Sequence, residues 1–139
     1  MFERIMVPVA LDHVDRMERT LDVAADLARQ YDAPVTFVAV SGKVPNAVAR
    51  TPEKFAAELD MFAREQGSRA GITTEALALT SNDPGAELEK RLLEGIEETG
   101  ADLVVMGSHP PGVADALHLI GSHAAWLVRH SDVSVFVVR

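Results

Sequence analysis

Five short apolar runs punctuate the chain, at residues 5–9, 35–40, 73–80, 103–106 and 133–138. The first, second and fourth are almost continuously apolar, the pattern of strands covered on both faces as in a parallel sheet. The third alternates and suits an edge strand. Between the runs the period changes to that of helices. Over residues 15–30, Met17, Leu21, Ala24, Leu27 and Ala28 form one stripe, with Asp12 and Asp15 as candidate caps. Phe55, Leu59, Phe62 and Ala63 mark a second helix, opened by Thr51-Pro52-Glu53 and ended near Gly67 and Gly71. Leu88, Leu92 and Ile96 mark a third, opened by Asp83-Pro84 and stopped at Gly100. A fourth is expected from Ser122, just after Gly121.

Strands that alternate with helices across short loops predict an α/β fold: one doubly wound, five-stranded parallel sheet with helices on both faces, in a single domain spanning residues 1–139. Pro8 lacks a ladder donor and belongs at the end of the first strand.

Composition narrows the function classes. A formal charge of −8 without any basic run argues against nucleic acid as a partner. The absence of cysteine excludes disulfides and thiol chemistry. No apolar run reaches the roughly 18 residues of a membrane span, so no membrane insertion is expected, and a cytoplasmic location is.

In open α/β sheets, ligands lie beyond the carboxyl ends of the strands, where the strand order reverses. The loops expected there are residues 9–13, 40–43 and 107–112. Gly107 follows its strand directly, where a backbone turns sharply or approaches a ligand closely. Gly121 and Ser122 open the last helix, whose free N–H groups favour an anion. Ser122 is either a phosphate donor or a plain N-cap, and Gly112 is either a ligand glycine or a turn glycine. His109, His118 and His123 surround the loop, as contacts for an anion or metal or as solvated side chains; their spacing matches no standard zinc signature.

The run GSHPPGVADALHLIGSHAAWLVRHSDVSVFVVR, with RIMVPVALD near the start, resembles the universal stress proteins over essentially the whole chain. The resemblance implies strand order 3-2-1-4-5, a homodimer and, in many members, ATP or AMP at the loops just named, with Mg²⁺ where the ligand is ATP. Carried onto this chain, the nucleotide positions are Pro8, Val9, Ala10 and Asp12 after the first strand and Val40 on the second. Met106, Gly107, His109 and Gly112 follow on the fourth, and Gly121, Ser122 and His123 on the last helix. The family's phosphate pattern runs Gly, two residues, Gly, nine residues, Gly-Ser or Gly-Thr. Gly107 fits its start, Pro110 replaces its second glycine, and Gly121-Ser122 falls one residue late. Ala10 stands where the family usually has an acid, with Asp12 two residues on as a possible substitute. Pro110 and Pro111 remove two N–H donors from the loop.

Two readings therefore stand: a dimeric stress-response regulator binding adenine nucleotide, and a dimeric interaction module of the same fold without it. An enzyme hydrolysing ATP or transferring a phosphoryl group finds no recognisable base, ligand set or activating lysine. The dimer is expected through residues 133–138, an apolar edge strand that its own copy would cover. A client protein is also expected, with nothing in the sequence to identify it.

Overall fold

The computed structural model describes residues 1–42, 49, 51–108 and 120–139, with the backbone alone for 120–122. The elements run β1 (Ile5–Pro8), a 3₁₀ turn (Leu11–Arg16), α1 (Glu18–Tyr31), β2 (Val35–Gly42), α2 (Pro52–Ala70), β3 (Thr74–Ser81), α3 (Pro84–Thr99), β4 (Leu103–Gly107), α4 (Ile120–His130) and β5 (Ser134–Val138). All neighbouring strands are parallel, in the order β3-β2-β1-β4-β5. The apolar runs and the order implied by the family resemblance are thus both realised, with β3 at one edge and β5 at the other.

Alternation along the central strands divides the interior into two layers. Ile5, Val7, Val35, Phe37, Leu103 and Val105 face Leu21, Ala24 and Ala28 of α1 and Phe55, Leu59 and Phe62 of α2. Phe37 meets Phe62 edge to face, with ring centroids 5.2 Å apart. Met6, Val38, Val104 and Met106 face Leu92 and Ile96 of α3 and Ala124 and Leu127 of α4.

Two helix starts form as their sequences predict. Thr51 Oγ1 accepts from the Lys54 amide at 3.1 Å, and Asp83 Oδ1 accepts from the Ala86 amide at 3.2 Å, each with proline just inside the cap. Gly100 closes α3 in the left-handed region, at φ 69°.

The start of α1 differs from expectation. Neither Asp12 nor Asp15 caps it; the helix begins at Glu18 behind Met17, with no side-chain cap. The chain first makes the 3₁₀ turn, in which the His13 amide donates to Ala10 O and the Met17 amide to Val14 O, each at 2.9 Å. A turn closed by its own backbone leaves both carboxylates exposed.

Opposite the site, the amino end of the sheet is tied by Asp102. Its carboxylate accepts from the Glu3 amide at 2.9 Å and the Arg4 amide at 3.0 Å, and its own amide donates to Arg4 O at 3.0 Å.

Candidate nucleotide site

β1 is the reversal point: one pair of helices covers one face of the sheet and the second pair covers the other. The hydrogen bonds of β1 end earlier on one side than on the other. The Ile5 amide donates to Pro34 O and the Val9 amide to Val38 O, so odd-numbered residues of β1 donate toward β2. Pro8 is one step out of phase and faces β4, without an N–H to offer. Accordingly β1 pairs with β2 as far as Pro8↔Val38 but with β4 only as far as Met6↔Val104. β4 continues without it, pairing with β5 as far as Gly107↔Val138, and β2 continues with β3 to Gly42↔Ser81. The ends of β2 and β4 therefore overhang a shorter β1, a geometry that admits a ligand at the carboxyl edge.

The predicted residues distribute around this notch unevenly. Pro8 is half-buried at the end of β1, and Val9 is buried with its amide engaged by β2. Ala10 is exposed, and its carbonyl accepts from His13. Asp12 is exposed in the 3₁₀ turn, its Oδ2 3.5 Å from His13 Nε2. Val40 and Met106 pack against the α3–α4 layer. Gly121 and Ser122 are the second and third residues of α4 as described, so the helix includes them where the sequence reading started it at Ser122. His109, Gly112 and His118 lie outside the described residues, as do Pro110 and Pro111.

Two assignments are sharpened. Gly107 is the last residue of β4, and the close approach it permits is made by the protein itself. A Cβ there would stand 2.7 Å from Thr20 Oγ1 of α1. His123, half-buried, places Nδ1 3.0 Å from Glu89 Oε1 of α3 and so joins the two helices on that face. Neither Thr20 nor Glu89 was singled out from sequence. The available signal for Thr20 was a hydroxyl one helical turn before Ala24 on an otherwise apolar stripe. Glu89 carried none, since its partner lies 34 residues away.

Among the described residues no three His, Asp or Glu side chains gather where they could hold a metal. No helix among the described residues is long and apolar enough to cross a membrane.

Comparison with known proteins adds to this geometry. The family model for the universal stress protein family matches residues 1–139. Universal stress protein G of Shigella flexneri is 27% identical over 148 residues, covering 100% of both chains. Among solved structures, a universal stress protein in complex with cAMP superposes with a TM-score of 0.71 at 20% identity, covering 99% of this chain and 97% of the other. The universal stress protein of Archaeoglobus fulgidus in complex with dAMP gives 0.68 at 23% identity, covering 99% and 98%. The structural likenesses establish a shared fold.

Proposed function

This chain belongs to the universal stress protein family, and we propose that it is a dimeric, cytoplasmic stress-response regulator that binds an adenine nucleotide, ATP or AMP, at the carboxyl ends of β1, β2 and β4. The observation that carries this reading is the early end of the β1–β4 ladder at Met6↔Val104, which leaves a notch at the reversal point of the sheet. Two relatives of the same fold are described in complex with cAMP and dAMP, both adenine nucleotides. Val9, Ala10 and Asp12 line the chain leaving β1. Gly121 and Ser122, both in α4, stand at the end of the family's phosphate pattern, and their amides would meet the phosphate.

Calorimetric titration of ATP, ADP and AMP, with and without Mg²⁺, tests the reading. The expected outcome is saturable binding that Gly121→Asp abolishes, because a carboxylate would then occupy the phosphate position. A protein that shows neither heat nor thermal stabilisation at millimolar nucleotide refutes it, since a ligand well above its Kd raises native stability.

A second reading is an interaction module of the same fold that has lost nucleotide. Ala10 in place of an acid favours it, as do Pro110 and Pro111 in the phosphate loop and the engagement of His123 by Glu89. The same titration separates the two readings.

A further inference from the structure

Two hydroxyls on the α1–α2 side of the notch make no hydrogen bond among the described residues, and that of Ser41 is fully enclosed. Ser41 is 4% exposed, and its Oγ makes no hydrogen bond among the described residues. It shares the strand face of Val35, Phe37 and Ala39, which pack in the α1–α2 layer. It sits on the part of β2 that overhangs β1, where pairing continues only to β3, through Ser41↔Thr80. Thr20 is 5% exposed. Its Oγ1, not its methyl group, is turned toward the end of β4, 2.7 Å from the position of a Cβ on Gly107. No hydrogen bond is made by that hydroxyl among the described residues, although a threonine in a helix readily donates to the preceding turn, as Thr99 does to Gly95 O at 2.7 Å. The two hydroxyls thus stand on one face of the sheet, at the ends of the strands on either side of β1.

A buried hydroxyl without a partner costs about 1–3 kcal/mol. At Ser41 an alanine would leave the layer apolar without that cost. The cost is recovered if a bound molecule supplies the missing partners. Both groups are neutral and nearly enclosed, which suits neutral donors and acceptors better than a phosphate, whose charge is expensive to desolvate. We propose that Ser41 and Thr20 are specificity-determining contacts for the nucleoside part of the ligand, its sugar hydroxyls or base edge, and do not serve the phosphates. This rests on the nucleotide reading above and assigns the neutral half of the ligand to the α1–α2 side of the notch.

The test is titration of AMP and of adenosine into the wild type, Ser41→Ala and Thr20→Val, together with melting of each ligand-free protein. Each variant is expected to weaken both ligands by a similar factor, about five- to tenfold for one lost hydrogen bond. The ligand-free melting temperature should hold or rise for Ser41→Ala, because an unsatisfied polar group has been removed, and should hold for Thr20→Val, which keeps the side-chain shape. Thr20→Ser, which restores a hydroxyl, should recover most of the affinity lost by Thr20→Val. If Ser41→Ala melts early, Ser41→Cys removes the strong donor at nearly constant volume.

Affinities within twofold of wild type overturn the assignment, as does weakening of AMP alone, which would place the hydroxyls at the phosphates. Either result leaves nucleotide binding intact. A wild type that binds neither ligand overturns both this assignment and the reading on which it rests.

Discussion

Thr20 Oγ1 of α1 occupies the space that a side chain on Gly107 would need, at 2.7 Å from the position of its Cβ. The glycine at the end of β4 is thus required by helix-to-sheet packing whether or not a ligand approaches it. Gly107 and the first turn of α1 pack as one unit.

Gly107→Ala should therefore destabilise the free protein. Thr20 is nearly enclosed and has few rotamers available in a helix, so the new methyl group must displace it or the helix, at about 1–3 kcal/mol. In a Thr20→Ala background the same substitution should cost much less. Urea denaturation of the two single variants and the double variant measures the coupling, and strict additivity would argue against the contact.

Asp102→Ala should cost about 1–2 kcal/mol, because the amides of Glu3 and Arg4 lose a charged acceptor at the start of β1. Faster hydrogen exchange confined to the first strand, measured by mass spectrometry, is the accompanying signature.

Glu87 supplies a pH dependence. The Ser81 hydroxyl donates to its carboxylate, and this bond, aided by the Asp83 backbone and Arg91 and opposed by partial desolvation, holds the carboxyl below its ordinary value of 4.5. A depressed native value stabilises the fold above the unfolded value, and that stabilisation is lost as pH falls through the native one. Glu87→Gln should consequently melt below wild type at pH 7, with the gap closing progressively below about pH 4.5. Melting curves across pH 3–7 check this, and a constant gap would contradict it.

The outer strand predicts an assembly. Phe136 and Val137 of β5 are 44% and 41% exposed, and among the described strands β5 pairs with β4 alone. An exposed apolar edge invites pairing with a second copy. Phe136→Lys is expected to shift a wild-type dimer to monomer in sedimentation equilibrium while leaving the circular dichroism spectrum unchanged. A wild type that sediments as a monomer would refute the dimer itself.

Much of this molecule is legible along its sequence. Strand runs, helix stripes, the two proline-assisted caps and the glycine stop at Gly100 depend on residues within a few positions of one another, so local pattern determines them. Pro8 belongs with them, because its missing N–H is a property of the residue itself. The tertiary structure decided the rest: which neighbour of β1 loses that bond, that a 3₁₀ turn replaces an aspartate cap before α1, and that Gly107 answers to Thr20 and His123 to Glu89. Those pairs are distant in the chain and meet only when helices pack on a sheet, and neither hydroxyl near the notch reveals from sequence whether it has a partner. Periodicity specifies which face of an element is buried, but not which atom of a small polar side chain is turned toward the ligand edge.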